Sequence, residues 1–264
     1  MDLQLKGRVA VVTGASKGIG LAVADAFARE GVHVVAGSRS VTPELEALRD
    51  KYGVTAVSVD LSTVDGPGAL VGRAVDQYGR VDILVNNLGA ATPRPSFLDI
   101  DDAEWRRIFD LTLFSAIRAS RAALPRLLDA DGGAIINISS INARLPFPSV
   151  VDYSAAKAGL ASLTKSLSEE FAPRGVRVNA IAPGPVRTPF WTAPGGFAEA
   201  AAAQAGTTAQ EAMDVVVPRS MGISTGRVTE AREVADLALF LASPLAGNIT
   251  GAEFTIDGGQ VKTV

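Results

Sequence analysis

The chain has 264 residues, of which 47% are hydrophobic and 20% are charged, and its formal net charge is −3. These values are ordinary for a globular protein with a sizeable core. A nearly neutral chain gives no sign of the basic surface that a nucleic-acid partner requires. The chain contains no cysteine, which excludes disulfides, thiolate catalysis and thiolate metal sites.

Other classes of protein and site are also disfavoured. The first seven residues lead directly into an apolar segment, so the sequence predicts no signal peptide. No run of about 18 apolar residues is present, so we expect no membrane span and a cytoplasmic location. The single histidine, His33, lies in an apolar run. It is expected on or near a strand rather than at a catalytic or metal site, and we expect no metal.

Short apolar segments alternate along the chain with longer segments of helical pattern. The predicted strands are Val9–Thr13, Val32–Ala36, Val54–Val59, Ile83–Asn86, Ala134–Ser139, Val176–Ile181 and Phe254–Ile256. The predicted helices are Ile19–Glu30, Pro43–Tyr52, Ala69–Tyr78, Asp102–Leu128 (one long helix, straight or bent), Tyr153–Phe171 and Ala231–Leu241. Strands rich in Val and Ile that alternate with helices form parallel sheets buried on both faces. The sequence therefore predicts an α/β fold, a single Rossmann-type domain over residues 1–264. Its doubly wound parallel sheet carries helices on both faces.

One segment, Pro183–Arg227, breaks this alternation with scattered Gly and Pro. Its large apolar residues are Phe190, Trp191, Phe197, Met213 and Met221. A long insertion in a compact domain is usually either disordered or a functional lid. We interpret residues 184–229 as a substrate lid. Its aromatic side chains either contact a substrate with a hydrophobic body or anchor the lid to its own core.

A glycine-rich segment, residues 13–20 with the sequence TGASKGIG, connects the first predicted strand to the first helix. Glycine permits a tight turn and lets the backbone approach a pyrophosphate closely. The helix that follows directs free N–H groups and its positive dipole end toward the phosphates. The position of the segment between strand and helix predicts a dinucleotide site.

The second predicted strand is followed by Ser38 and Arg39. NAD-binding folds carry an acidic residue here, about 20 residues past the glycines, which binds the ribose diol. Arg39 would instead bind a 2′-phosphate through charge-assisted hydrogen bonds, and Lys17 could face the same phosphate. We therefore predict NADP(H) in preference to NAD(H). The alternative is that both cations are solvated surface charges.

Tyr153 and Lys157 lie four residues apart at the start of a predicted helix, and hence on one helical face. At ~4 Å and an effective dielectric of ~20, a lysine ammonium favours the phenolate by about 4 kcal/mol, or roughly three pKa units. Tyr153 is thus a candidate general acid for a carbonyl substrate or base for an alcohol. Ser140, thirteen residues upstream, could hydrogen-bond the substrate oxygen.

These motifs occur in one order along the chain. The chain carries, in this order, the glycine segment, the run Asn86-Asn87-Leu88-Gly89, Ser140, the Tyr153/Lys157 pair and a Pro183-Gly184-x-x-x-Thr188 segment. Together they closely resemble the short-chain dehydrogenase/reductase family over essentially the whole chain. The resemblance implies carbonyl reduction or alcohol oxidation of a small molecule, with 3-oxoacyl thioesters, sugars, steroids and polyketides among the family's substrates. It also implies a homotetramer or homodimer.

The resemblance implies cofactor contacts at several places in the chain. The pyrophosphate and ribose would contact Gly14, Ser16, Lys17, Gly18, Ile19 and Gly20. The adenine would contact Asp60 and Leu61, and Asn86 and Gly89 would line the cleft. The nicotinamide half would contact Tyr153, Lys157, Pro183, Gly184, Val186 and Thr188. We further expect Asn142 and Val150 at the substrate pocket.

Two positions depart from the family pattern. Leu88 replaces an alanine, and Thr112 stands where the family carries a fourth catalytic residue, an asparagine that supports a water-linked proton relay to the lysine. A relay through the Thr112 hydroxyl and an extra water is one hypothesis. Another is a cofactor-binding protein in which catalysis is impaired or lost. Enoyl reduction is a third, and it is disfavoured because that branch usually widens the Tyr–Lys spacing.

Overall fold

The computed structural model describes residues 2–130 and 132–263. The predicted domain limits also include Met1, Asp131 and Val264, which lie outside the described residues. The strands are β1 (Val9–Thr13), β2 (His33–Ser38), β3 (Thr55–Ser58), β4 (Ile83–Asn86), β5 (Gly133–Ile138), β6 (Val176–Pro183), β7 (Val186–Arg187), β8 (Thr229–Glu230) and β9 (Glu253–Ile256). Seven strands form one parallel sheet in the order β3-β2-β1-β4-β5-β6-β9, and β7 pairs with β8 apart from it. The predicted doubly wound parallel sheet is confirmed.

Helices cover both faces of the sheet. They are α1 (Gly18–Arg29), α2 (Pro43–Tyr52), α3 (Gly66–Tyr78), α4 (Asp102–Phe109), α5 (Ser115–Asp129), α6 (Val151–Phe171), α7 (Pro189–Thr192), α8 (Phe197–Ala205), α9 (Ala209–Glu211), α10 (Val217–Ser220) and α11 (Ala231–Ala242). No helix in the described part of the chain is long and apolar enough to cross a membrane.

Strand β1 shows why the sheet is buried on both faces. Its alternate residues Ala10 and Val12 pack into the cluster that contains α1, α2 and α11. Val9 and Val11 pack into the opposite cluster, with α3, α5 and α6. Successive side chains of a strand point to opposite faces, so an uninterrupted run of valines serves both layers.

The predicted single helix Asp102–Leu128 is divided in the structure. A π-helical turn, Asp110–Phe114, separates α4 from α5. Such a turn inserts an extra residue into the helix and occurs frequently at functional sites. Hydrophobic periodicity does not reveal one, because the pattern continues on either side. Thr112, the position that departs from the family pattern, lies inside this turn.

The predicted lid is a folded unit of short helices, α7 to α10, between β7 and β8. It has its own apolar cluster, which consists of Ala198, Met213, Val217, Ile223 and Val228. Trp191 and Met221 pack against that cluster. These helices and the β7–β8 pair were not predicted, because segments of two to nine residues are too short to show a period.

Candidate active site

The carboxyl ends of the sheet strands open into one cavity of about 1000 Å³. Ligands bind at this edge of open α/β sheets. One end of the cavity lies over the segments that follow β1, β2 and β3, and the other lies against the lid. The predicted residues that line it are Gly14, Ser16, Lys17, Gly18, Ile19, Ser38, Arg39, Asp60, Leu61, Gly89, Ser140, Asn142, Val150, Tyr153, Lys157, Pro183, Gly184, Val186 and Thr188.

The glycine segment forms the floor of the cavity. Gly14 and Gly18 have positive φ angles of 67° and 59°, a backbone conformation that side-chain-bearing residues rarely adopt. Asn87 holds the segment in place, since its side-chain nitrogen donates to the carbonyl oxygens of Thr13 and Gly14, both at 3.0 Å. Helix α1 begins at Gly18, so its first N–H groups lie at the cavity. This cradle fits a pyrophosphate.

Gly20 does not line the cavity. A Cβ atom at this position would lie 2.3 Å from the Gly14 carbonyl oxygen and 2.4 Å from the Asn87 side-chain nitrogen. The expectation that Gly20 contacts the cofactor directly is therefore corrected. Gly20 lets the first turn of α1 pack closely against the glycine segment that it supports.

The expectation that Asn86 lines the cofactor cleft is also corrected. It is 2% exposed and lies beneath the cavity, where its side-chain nitrogen donates to Ser120 Oγ at 3.1 Å and to Asn137 Oδ1 at 2.8 Å. Asn137 in turn donates to Thr164 Oγ1 at 2.8 Å. Asn86 thus joins β4, β5, α5 and α6, and the neighbouring Asn87 is the asparagine that lines the cavity.

The end of the cavity near β2 and β3 combines a buried hydroxyl with an exposed cation. Ser38 is 4% exposed and its hydroxyl donates to the Ser40 carbonyl oxygen at 2.8 Å. Arg39 is exposed and lines the cavity. Hydrogen bonds from Ser62 and, more weakly, the charge of Arg39 hold the pKa of Asp60 below its usual value. Arg39 therefore extends its positive field over this end of the cavity.

Tyr153, Ser140 and Lys157 meet near the middle of the cavity. Tyr153 is in the first turn of α6, and the Lys157 side-chain nitrogen lies 5.5 Å from its ring centroid. Ser140 follows β5 and is held by its hydroxyl, which accepts from the Asn142 N–H at 3.2 Å. Hydrogen bonding with Ser140 opposes a rise in the pKa of Tyr153. A carbonyl oxygen between Ser140 and Tyr153 would receive hydrogen bonds from both.

The predicted fall in the pKa of Tyr153 is wrong. Burial raises the pKa of Tyr153 to about 12, and the hydrogen bond with Ser140 only partly offsets this. Burial also lowers the pKa of Lys157 to about 7. The sequence argument treated Lys157 as a full positive charge and omitted its desolvation, which disfavours the ammonium. Both effects keep Tyr153 protonated at neutral pH.

Thr112 lies behind the cavity rather than on it. It is fully buried, and its hydroxyl accepts from the Ala90 N–H at 3.4 Å. Thr112 and Lys157 both border the space that a side chain at position 89 would occupy, since a Cβ atom on Gly89 would come within 3.3 Å of Lys157 Nζ and 3.8 Å of Thr112 Cγ2. The expected fourth catalytic position is therefore buried close to Gly89, which the Lys157 side chain also approaches.

Several cavity residues were missed from the sequence. They are Ser40, Thr42, Val59, Asn87, Leu88, Ala90, Ala91, Arg107, Leu111, Ile138, Ser139, Ile141, Leu145, Pro146, Phe147, Pro185, Pro189, Ser220 and Gln260. Asn87 and Leu88 belong to a run that the sequence analysis did identify. Gln260 comes directly after Asp257-Gly258-Gly259, a turn signal that marks where the chain returns toward the sheet edge.

The lid aromatics line the cavity and also pack on one another and on the lid core, while their contact with a substrate stays a prediction. The cavity is lined by Phe190, Trp191 and Phe197. Phe197 stacks on Phe190 at 5.6 Å and contacts Trp191 in a tilted arrangement at 5.1 Å, both measured between ring centroids. Trp191 and Met221 face the cavity while also packing on the lid core. Met213 belongs to the lid core alone.

Comparisons with known proteins place the chain among oxidoreductases. A family model described as "Enoyl-(Acyl carrier protein) reductase" matches residues 14–260. The chain is 38% identical over 262 residues to 3beta-hydroxysteroid dehydrogenase 1 of Eggerthella lenta, covering 97% of this chain and 94% of the relative. It is 37% identical over 255 residues to cis-4-hydroxycyclohexanecarboxylate dehydrogenase of Sinomonas cyclohexanicum, covering 96% of each. The solved structure of L-sorbose reductase from Gluconobacter frateurii, complexed with NADPH and L-sorbose, superposes with a TM-score of 0.92 at 33% identity and covers 100% of both chains.

Proposed function

The chain belongs to the short-chain dehydrogenase/reductase family, and on that basis we propose that it is an NADP(H)-dependent oxidoreductase that interconverts a ketone and a secondary alcohol. The observation that carries the proposal is that Ser140, Tyr153 and Lys157 line the same cavity as the glycine segment. A bound nicotinamide would supply or accept the hydride at its C4 atom. The protein would position the substrate and handle the proton.

Tyr153 is the proton donor in the proposed reduction. With a pKa of about 12, its phenol is protonated at neutral pH and can donate to a substrate oxygen that gains negative charge. The Ser140 hydroxyl donates a second hydrogen bond to the same oxygen. Lys157 Nζ, held by the Ile138 carbonyl oxygen at 2.5 Å, would bind the nicotinamide ribose and help to return a proton to Tyr153.

NADP(H) is the preferred cofactor in this proposal. Arg39 and Lys17 both line the cavity, and neither position carries the carboxylate that would repel a 2′-phosphate. The L-sorbose reductase of similar structure was solved with NADPH. Charge-assisted hydrogen bonds of about 1.5–3 kcal/mol each would give a tenfold or larger preference.

The proposed substrate class is a ketone or secondary alcohol with an apolar body, bound beneath the lid at residues 184–229. The relatives act, by their names, on hydroxyl groups of a steroid and of a cyclohexane ring. Reduction of a 3-oxoacyl thioester falls within the same chemistry. The spacing of four residues between Tyr153 and Lys157 favours carbonyl reduction over the enoyl reduction named by the family model.

A cofactor-binding protein with impaired catalysis is the competing proposal, and its support is Thr112. The Thr112 hydroxyl accepts from the Ala90 N–H, and Ser140, Tyr153 and Lys157 line one cavity, which favours the enzyme. By analogy with the family, we also propose a cytoplasmic homotetramer or homodimer. The exposed apolar side chains of Phe97, Leu98 and Phe114 lie next to or between α4 and α5 and are consistent with an interface there.

Replacing Tyr153 with Phe tests the function directly. NADPH oxidation would be followed with a panel of ketones and aldehydes, and Tyr153→Phe is expected to lower kcat by about 100- to 10,000-fold because it removes the general acid. Titration of NADPH fluorescence should give nearly the same Kd for both proteins. Tyr52→Phe, a change on α2 outside the cavity, is the matched control. Full turnover by Tyr153→Phe would refute the assignment, and no turnover of any substrate by the unmodified protein would favour the non-catalytic alternative.

A further inference from the structure

Arg118 joins two segments that each contribute residues to the cavity. It lies on α5, and its side chain is 18% exposed. Its Nη1 atom donates to the Ser62 carbonyl oxygen at 2.9 Å and to the Thr63 carbonyl oxygen at 3.4 Å. Its Nη2 atom donates to Asp110 Oδ1 at 2.8 Å. One guanidinium therefore connects the turn after β3 with the first residue of the π-helical turn.

The turn after β3, residues 60–63, is closed by its own hydrogen bonds. Asp60 Oδ1 accepts from the Ser62 N–H at 2.9 Å and from the Ser62 hydroxyl at 2.7 Å. The Asp60 carbonyl oxygen accepts from the Thr63 hydroxyl at 2.9 Å. Among the described residues, the hydrogen bonds that attach this turn to a distant helix come from Arg118. The turn is thus held within itself, and Arg118 fixes it against α5.

Asp110 holds the other side of the Arg118 guanidinium. The two residues are eight positions apart, so their ion pair spans the whole π-helical turn, Asp110–Phe114. The guanidinium carbon also lies 5.3 Å from the centroid of the Phe114 ring, within the range of a cation–π contact. Leu111, next to Asp110, lines the cavity. Arg118 is therefore already oriented where it meets the turn after β3.

The turn after β3 borders the part of the cavity that suits the adenosine half of a dinucleotide. In dinucleotide-binding folds the pyrophosphate lies on the glycine segment, and the residue at the end of the second strand contacts the adenosine ribose. Arg39 occupies that place, and its carbonyl oxygen accepts from the Ser58 hydroxyl at 3.0 Å. The Val59 N–H donates to the Ser38 carbonyl oxygen at 2.8 Å. These bonds place residues 60–63 directly beside the expected ribose site.

From these contacts we infer that Arg118 is a positioning residue for the adenosine half of the cofactor. Held by Asp110, its guanidinium fixes the turn at residues 60–63, so that Asp60 and Leu61 form a preorganised wall for the adenine. Without Arg118 the turn must be ordered when the cofactor binds, and that ordering lowers affinity. The inference rests on the proposed function, because it concerns the cofactor of the same cavity. NADPH and NADH share the adenosine half, so Arg118 acts equally on both.

Binding of 2′,5′-ADP and 5′-ADP, which carry the adenosine half without nicotinamide, tests this role separately from turnover. Calorimetric titration would compare the unmodified protein with Arg118→Met, which keeps an apolar stem and removes the guanidinium. We expect Kd for both nucleotides to rise about 10-fold, because hydrogen bonds from a charged group are lost. In steady-state kinetics, KM should rise by the same factor for NADPH and NADH, while kcat at saturating cofactor stays within about twofold. Arg121→Met, at an exposed position on the same helix, should change none of these values.

Two milder variants keep the test decisive if Arg118→Met does not fold. Arg118→Lys offers one nitrogen in place of two and should give an intermediate Kd. Asp110→Asn loosens the guanidinium and should also raise Kd, with no further rise when it is combined with Arg118→Lys than the shared contact allows.

Three results would overturn the inference. A purely structural Arg118 would lower the unfolding temperature of its variants and leave Kd of the folded proteins unchanged. A rise in KM for NADPH alone would assign Arg118 to the 2′-phosphate instead of the shared adenosine half. In both cases the proposed function would stand. An unmodified protein that binds neither 2′,5′-ADP nor 5′-ADP would overturn the cofactor proposal together with the inference.

Discussion

The Lys157 side chain packs closely against Gly89, on the side where any other residue would carry its Cβ atom. A Cβ atom on Gly89 would lie 3.3 Å from Lys157 Nζ, tighter than most real contacts of a Cβ atom. The Cγ2 atom of the fully buried Thr112 would lie 3.8 Å from the same Cβ atom. Three separate segments thus meet at Gly89, and the sequence alone shows only that each is present.

Substitutions at Thr112 test whether its hydroxyl takes part in proton return to Lys157. Thr112→Val keeps the shape of the side chain but removes the oxygen that accepts from the Ala90 N–H. If the hydroxyl takes part in proton return, we expect kcat to fall about 10-fold because the relay is interrupted, while the unpaired Ala90 N–H separately lowers stability by roughly 1–3 kcal/mol. Thr112→Asn should equal or exceed the unmodified rate. Steady-state kinetics in H2O and D2O would measure both, and unchanged rates in both variants would make position 112 purely structural.

The lowered pKa of Lys157 predicts a specific dependence of stability on pH. Burial lowers the pKa from 10.5 to about 7 in the folded protein, so between pH 7 and 10.5 the unfolded chain binds more protons than the folded chain. The free energy of unfolding should therefore rise with pH through this window, at up to about 1.4 kcal/mol per pH unit from this one group. Below pH 7 the cost of charging Lys157 is fully present.

Urea unfolding of the unmodified protein and Lys157→Met, from pH 6 to pH 9.5, would reveal that dependence. The variant lacks the buried amine, so its advantage in stability over the unmodified protein should be greatest near pH 6 and shrink toward pH 9.5. Lys165→Met, at an exposed position later in α6, controls for general charge effects. A constant difference between Lys157→Met and the unmodified protein would show that the Lys157 pKa is not depressed.

The raised pKa of Tyr153 predicts that the two directions of the reaction differ in their pH dependence. A phenol with a pKa of about 12 is already protonated for ketone reduction at pH 7, whereas alcohol oxidation needs the phenolate. We expect kcat/KM for oxidation to rise about tenfold per pH unit from pH 7 to 9 and kcat/KM for reduction to stay nearly flat. A pH profile of both directions with one ketone–alcohol pair checks this. An oxidation rate that is already constant at pH 7 would mean that the pKa of Tyr153 falls in the working complex.

The sequence predicted most of the fold because its main signals are local. Buried strands such as Val9–Thr13 and the glycine segment after them identify a dinucleotide-binding sheet without any long-range information. The direction of the Tyr153 pKa was missed because burial of Tyr153 and Lys157 depends on elements distant in the chain. The π-helical turn at Asp110–Phe114 and the short helices of the lid were missed because neither produces a recognisable hydrophobic period in the sequence.

The same distinction applies within the candidate site. Their spacing along the chain predicted that Ser140, Tyr153 and Lys157 share one catalytic site, and all three line one cavity. Spacing could not distinguish Asn86 from its neighbour Asn87, because a strand end sends adjacent side chains to opposite faces. Gln260 reaches the cavity only because the C-terminal turn is fixed by Asp257 and by the lid, a contact between segments that no local pattern encodes.

Arg39 provides the sharpest test of cofactor preference. Its guanidinium is exposed at the end of the cavity near Ser38 and Asp60, where it can pair with a 2′-phosphate without first breaking an ion pair described in the structure. Arg39→Ala should raise KM for NADPH about 10- to 100-fold, which corresponds to one or two charge-assisted hydrogen bonds, and should leave KM for NADH within about twofold. Arg49→Ala, on the exposed surface of α2, provides the control.

Because the interaction is between charges at an exposed site, the NADPH preference should also weaken as ionic strength rises from 0.01 to about 1 M. A protein that prefers NADH before any substitution, or one in which Arg39→Ala raises both KM values equally, would show that Arg39 is a surface charge with no part in cofactor choice.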